Sequence, residues 1–382
     1  MIHGSRFAHT GLVLWLCASG TKTDPSMSED LFRAAMRAHK SYDFDQAITN
    51  FQKLVKDHPA AKEREDALFN AAALLEGQHR YAEAATAFQH CVELFPNGKN
   101  APQNQRRVAL LLEKQGDTKG EIKALEAFVR KFASKPEQAE LVVDAKRRMG
   151  DAWAKRGNAK EAQRAYAAAA DEFDRRRLDP EKQLLAAEAA AYSRFQLAEA
   201  VFQRFEALKI TGSGKTLEMS FAKKQEATKS VNEAYAKVLT YKRQRWTQAV
   251  FYRRGYALER FGNTMLNAPV PPEVKRLGEG AEQNYRDQLA QEAIKLEGHA
   301  VQNYIATLTE ARKHRVSNEW TRLTLEALNR FRPEQYPVLK EARGAFAKEV
   351  LYPSDLIATL TAPALRGQAA QYPPQLTEES AR

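Results

Sequence analysis

Residues 211–216 read Thr-Gly-Ser-Gly-Lys-Thr. These are the residue types that close a phosphate-binding loop, in which glycines let successive backbone N–H groups turn toward the phosphates and the lysine reaches the outer ones. The complete pattern also needs a glycine five positions before Gly214, and Lys209 stands there. The preceding stretch, Val201 to Ile210, has apolar residues at helical spacing rather than the run of a buried strand. The sequence therefore argues against nucleotide hydrolysis. It predicts that Gly212 and Gly214 end one helix through left-handed conformations and that Thr216 caps the next.

Other reactive types do not assemble into a familiar constellation. Eight histidines are scattered, with no pair on one helix face at metal-ligand spacing, and His79 and His90 read as surface residues. Carboxylates sit mostly near Lys or Arg, as in Glu63 to Leu68, which suits solvated helix pairs. No serine lies in a nucleophile-elbow motif. The two cysteines, Cys17 and Cys91, supply neither a disulfide framework nor a thiolate zinc site. The expectation is a protein without catalytic residues, cofactor or metal.

One segment interleaves charge with rings. Residues 241–261 carry Lys242, Arg243, Arg245, Arg253, Arg254 and Arg260 among Trp246, Phe251 and several tyrosines. Cations beside stacking side chains can hold single-stranded nucleic acid. The rings fall at helical spacing, however, which favours packing between helices with the arginines at the edge. A third use is a groove in which Arg243, Arg245, Arg253 and Arg254 meet an acidic peptide.

The elements that position these residues are helices. Alanine is abundant, glycine and proline are sparse through the middle, and no alternating β-branched runs occur. The helices repeat. Ala47, Phe51 and Leu54, closed by Pro59, are matched by Ala84, Phe88 and Cys91, closed by Pro96, and again by Ala162, Tyr166 and Ala169. Twelve positions before Ala84 and Ala162 stand Ala72 and Gly150, with Leu75 and Trp153 three positions on. Small residues at those offsets let antiparallel helices approach, and the large ones fill the gap beside them. Residues 110–133 form a weaker unit, with Leu112, Leu125 and Phe128 in phase but Glu121 where alanine is expected.

This register resembles the tetratricopeptide repeat family, whose unit is a helix-turn-helix of about 34 residues. The resemblance implies an all-α fold, a right-handed superhelical solenoid of antiparallel helix hairpins, with four repeats over residues 28–175. It also implies a binding face for protein partners, as extended peptides or domains. Residues 181–350 read as degenerate, elongated hairpins continuing the solenoid. In them Phe251, Gly255 and Leu258 mark a first helix and Ala300 and Tyr304 its partner. An insert at 263–280 is expected to be an exposed loop, and 353–382, rich in proline and small residues, an extended, disordered tail.

Residues 1–20 have the crude form of a secretory signal: Arg6, a short apolar run, then small residues. Cleavage near Gly20 or lipidation of Cys17 follows from that reading, although Leu14 to Leu16 make a poor lipidation site. No apolar run is long enough to span a membrane as a helix. The chain carries 59 basic and 48 acidic residues, a formal surplus of +11 spread along its length. Such a balance permits acidic proteins, nucleic acid or anionic membrane as partners without selecting one, and the repeats favour protein over nucleic acid. Exported repeat proteins of this kind resemble outer-membrane-associated assembly factors of Gram-negative bacteria, and residues 171–356 resemble repeat proteins of the myxobacterial adventurous gliding machinery. The location so implied is the periplasm, at the outer membrane; without export it is the cytoplasm.

Overall fold

The computed structural model describes residues 25–337. The signal-like segment with Cys17 and the tail at 353–382 lie outside the described residues. Those described residues are helical, with no strand among them. They divide between two compact units that meet in sequence at Arg80 and Tyr81.

The first unit holds α1 (Pro25–Lys40), α2 (Phe44–Asp57) and α3 (Arg64–Gly77). Its core joins Ala47, Phe51 and Leu54 of α2 to Ala72 and Leu75 of α3, all 2% exposed or less. Phe32 of α1 meets Phe51 edge to face, 5.4 Å between centroids.

The second unit runs through α4 (Tyr81–Leu94), α5 (Ala101–Lys114), α6 (Thr118–Phe132), α7 (Ala139–Lys155) and α8 (Ala159–Arg175). It goes on with α9 (Leu184–Ala207), α10 (Gly214–Ala236), α11 (Gln244–Leu266), the single turn α12 (Pro272–Lys275), α13 (Glu279–His314) and α14 (Glu319–Phe331). From α4 to α11 each helix packs on its neighbour in sequence, as in a helical-repeat solenoid. The exception in the later part is α11, which packs most extensively on α13. At 36 residues α13 extends about 54 Å.

One turn is built six times among the described residues: at Arg177 and Arg315 (φ 52° each), where the Leu178 and Val316 amides return to the Phe173 and Ala311 carbonyls, and at four further positions. Tyr42, His79, Gly116 and Gly157 take positive φ of 61°, 61°, 76° and 73°. The next residue's amide returns to a carbonyl five positions back: Asp43 to Ala38, Arg80 to Leu75, Asp117 to Leu112, Asn158 to Trp153. This closes the first helix with a left-handed residue and satisfies its last carbonyls. In three cases the residue that closes one helix also opens the next. Asp43, Asp117 and Asn158 accept the amides of Gln46, Gly120 and Glu161 at 3.1, 2.9 and 3.2 Å.

Two expectations fail locally. Thr216 lies inside the first turn of α10, and the residue at the cap is Ser213, in extended conformation. Gly212 (φ +97°) and Gly214 (φ +47°) are left-handed, but α9 has already ended at Ala207, so they shape the approach to α10 rather than the end of α9. The stretch read as an exposed loop at 263–280 is also largely structured. Its first four residues complete α11, Ala268 and Val270 are each 6% exposed, and Pro272 starts α12. The apolar pair finds cover, and proline suits a first helical position because its missing N–H has no partner to lose.

Candidate interaction surface

The residues that set the repeat register all lie on helices. Ala47 and Phe51 are on α2, Ala72 and Leu75 on α3, Ala84 and Phe88 on α4, Gly150 and Trp153 on α7, Ala162 and Tyr166 on α8. All are buried except Trp153, which is half-buried with the Arg156 guanidinium 5.6 Å from its ring centroid. It is Tyr166, not Trp153, that fills the space left by Gly150: a Cβ on Gly150 would lie 2.4 Å from the tyrosine ring. The pairing recurs in the second half, where a Cβ on Gly255 would meet the Ala300 carbonyl and the Tyr304 ring, both at 2.9 Å.

Those tyrosines carry a polar tie. The Tyr166 hydroxyl donates to Asp151 at 2.7 Å, and Asp151 also pairs with Arg147. The Tyr304 hydroxyl donates to Glu259 at 2.7 Å, and Glu259 pairs with Arg330 at 2.8 Å. Between them, Tyr235 donates to Glu199, which pairs with Arg253 at 2.7 Å. Three successive hairpins, α7 with α8, α9 with α10 and α11 with α13, are thus each cross-tied by tyrosine, carboxylate and arginine. Burial, and then the adjacent carboxylate, push all three phenols well above the ordinary tyrosine range, so they remain donors. Tyr241 makes a related tie to Asp174 and Arg194.

A further cluster of buried and half-buried charges joins α5, α6 and α7, and another gathers Lys146, Arg175 and Arg176 around Glu172 of α8. Asp144 is 2% exposed. Burial opposes its ionisation, but the guanidiniums of Arg148, Arg147 and Arg106 outweigh it and hold the carboxyl at about 2. Arg148 reaches on to Glu113 at 3.0 Å, which Lys155 shares at 2.8 Å. Glu121, the departure from the expected alanine, is 1% exposed, and its Oε2 has no partner. Burial first, then Glu113, push its carboxyl up to about 7, with Lys155 and Arg148 offsetting only part.

The four arginines singled out by sequence do not converge. Arg243 donates to the Pro180 carbonyl at 2.9 Å. Arg245 pairs with Glu319 at 2.7 Å and lies over Trp246. Arg253 is drawn among Phe202, Tyr256 and Trp320 while pairing with Glu199. Arg254, beside it in sequence but about 100° round the helix, donates to the Asn232 carbonyl at 3.3 Å, and burial lowers its pKa. Each guanidinium is engaged inside the chain, so no basic track of the kind that follows a nucleic-acid backbone is formed. The rings of the same segment pack: Trp246 meets Tyr192 and Phe195, and Tyr252 meets Tyr256, Tyr304 and Trp320.

What remains open to a partner is a mixed surface of the cross-tied helical array, with Lys155, Arg245 and Arg330 about half exposed and Leu277 and Ile294 exposed as well. Among the described residues no group of three or more His, Cys, Asp or Glu is arranged to hold a metal ion, and no helix is long and apolar enough to cross a membrane.

No curated protein matches the chain. Among solved structures it is similar to a tetratricopeptide repeat protein from Parabacteroides merdae, at 12% identity, covering 80% of this chain and 100% of that one, with a TM-score of 0.35. It is also similar to a repeat protein of the same name from Bacteroides fragilis, at 15% identity, covering 60% of this chain and 96% of that one, with a TM-score of 0.39. The family model described as tetratricopeptide repeat matches residues 66–98, the stretch that holds Ala72, Leu75, Ala84 and Phe88.

Proposed function

We propose that the chain is a non-catalytic scaffold that binds protein partners on the exposed faces of its helical hairpins. The observation that carries this reading is the recurrent cross-tie of tyrosine, carboxylate and arginine. It commits the half-buried charges to holding neighbouring helices in register, which leaves a fixed and extended surface. Surfaces of that kind recognise polypeptides, because a long interface can be filled without rearranging the fold. The tetratricopeptide repeat match at residues 66–98 supports the same use.

Within this reading the scaffold works in the cell envelope, exported by the signal-like residues 1–20 and assembling or tethering a complex at the outer membrane. The support for export is the Arg6, apolar and small-residue succession at the start of the sequence. A part in gliding motility rests on the sequence resemblance of residues 171–356 alone.

Photo-crosslinking in the producing cells tests both statements. A photoreactive residue at Lys155 or Arg245 is expected to trap discrete protein partners, and fractionation to place the adducts in the envelope. Absence of adducts at every exposed first-helix position sinks the scaffold reading. Recovery of the chain solely from the cytosol sinks export.

A further inference from the structure

An open cleft of about 510 Å³ lies where the connection from α9 to α10 meets the C-terminal half of α11. Its walls include Glu206, Leu208, Lys209, Arg260, Asn263 and Pro269. That volume falls in the range of specific binding pockets and has room for a few side chains rather than a folded domain.

The cleft is positively charged. Arg260 pairs with Glu206 at 3.0 Å, leaving the exposed Lys209 without a side-chain partner among the described residues. Directly behind the wall is Lys224, 1% exposed, whose ammonium donates to the carbonyls of Phe205 and Leu208 at 2.7 and 2.9 Å and lies 3.9 Å from the Phe205 ring centroid. Burial, and then the Arg260 guanidinium, push that ammonium down to about 8. Two cations, Lys209 and Arg260, and one carboxylate, Glu206, line the cleft, with the buried Lys224 behind them.

The wall also offers backbone. Residues 208–211 belong to no regular element. The Leu208 carbonyl is taken by Lys224, and the Thr211 amide by the Ser220 hydroxyl at 3.1 Å. Between them the N–H and C=O groups of Lys209 and Ile210 have no partner among the described residues, although the Ile210 residue is only 3% exposed. Main-chain groups in such a setting are ready to pair with an extended chain laid beside them.

We propose that this cleft takes an extended, acidic segment of a partner protein, which pairs its backbone with Lys209 and Ile210 and sets a carboxylate against Lys209 and Arg260. The inference rests on the scaffold reading and names the kind of partner it holds. A phosphate ligand is the poorer fit, since of residues 211–216 only Thr211 lines the cleft, and Lys215 does not.

Fluorescence anisotropy with the full chain tests it, using a labelled alternating Glu–Val peptide and its Lys–Val counterpart as probes. The acidic peptide is expected to bind and the basic one not. Lys209→Glu, and separately Asn263→Trp to fill the cleft, are expected to weaken binding about tenfold, with thermal unfolding unchanged in the first variant. Lys229→Glu, on the exposed face of α10, is expected to leave binding as it is. The proposal falls if no peptide binds, if both peptides bind alike, or if neither cleft variant weakens the acidic one. It also falls if ATP or inorganic phosphate displaces that peptide in a manner lost with Lys215→Ala. Any of these results alongside persistent crosslinks at Lys155 or Arg245 removes the cleft and leaves the scaffold standing.

Discussion

Glycine at two positions of this chain is a packing residue rather than a flexible one. A Cβ at Gly150 or Gly255 would enter the space of Tyr166 or Tyr304, and each ring is pinned by its own hydroxyl bond to a carboxylate. The ring cannot swing away without giving up that bond, and at Gly255 the Ala300 carbonyl blocks as well. Gly150→Ala and Gly255→Ala are therefore each expected to destabilise by about 2 kcal/mol, the cost of overpacking a filled interior. Gly280 and Gly298 of α13 have open space where a Cβ would go. Alanine there is expected to stabilise by about 0.5–1 kcal/mol, because it removes conformational freedom from the unfolded chain. Urea unfolding of the four single variants checks both signs, and equal effects at all four would show that the tyrosines yield. Gly212 is a third kind of case. Its φ of +97° and the 2.7 Å approach of a Cβ to the Thr216 methyl both exclude a side chain, whereas Gly214 is left-handed with space around it. The feature that looks like a phosphate-loop glycine in sequence is a joint between helices.

At the scale of the element, the cross-ties make each hairpin a coupled unit. Tyr304→Phe removes one neutral donor from Glu259, and Arg330→Met removes the cation. Each is expected to cost about 1–2 kcal/mol. The double variant is expected to cost less than their sum by at least about 0.5 kcal/mol, since both act on one carboxylate. Strict additivity in a double-mutant cycle would show that the tie is geometric only. The same elements show what can be read from sequence. The small-to-large register at Ala47 and Phe51, Ala84 and Phe88, and Ala162 and Tyr166 is legible because it repeats within one helix at fixed spacing. The turns are legible because glycine or a polar cap marks them. The ties are not, because their partners lie 15, 36 and 45 residues apart in the three hairpins. Helix lengthening in the second half keeps the contact and destroys the spacing. The cleft was hidden for a related reason: its walls join Lys209, which stands in no motif, to Pro269 and to Arg260, which sequence reads only as one of a run of arginines. The arginines misled in the opposite direction. Their clustering in sequence is real, but one turn of helix sends neighbours to different partners.

At the scale of the molecule, buried carboxylates set opposing demands on pH: Asp144 and Glu172, the latter also held, against its burial, at about 2 by Arg175, Lys146 and Arg176, on one side, and Glu121 on the other. Asp144 is held at about 2, below the 3.8 of an unperturbed aspartate. Its contribution is fully present above the unperturbed value and is lost as pH falls through the folded one. Glu121 is pushed up to about 7 from 4.5. Its folded state holds the proton more tightly, so that contribution is fully present below the unperturbed value and is lost as pH rises toward and through about 7. All three residues lie in the second unit, as do Trp153, Trp246 and Trp320. With Trp15, outside the described residues, replaced by Phe in the wild-type background and in every variant, tryptophan fluorescence follows the unit in which these groups act. The urea midpoint is expected to be highest near pH 5 and to fall on both sides. The alkaline loss corresponds to roughly 2–3 kcal/mol between about pH 5 and 8, at about 1.4 kcal/mol for each unit of difference in pKa. Glu121→Gln replaces the protonated acid by a neutral group of the same shape, so it is expected to remove the alkaline limb and leave the acid limb. Asp144→Asn is expected to shrink the acid limb, which Glu172 also carries, to leave the alkaline limb, and to lower stability throughout, because it strands three guanidiniums around a neutral side chain. A wild-type midpoint as high at pH 8 as at pH 5 would mean that Glu121 finds a cationic partner despite its burial. The departure from alanine in the third repeat would then be an ion pair and not a proton-linked weak point.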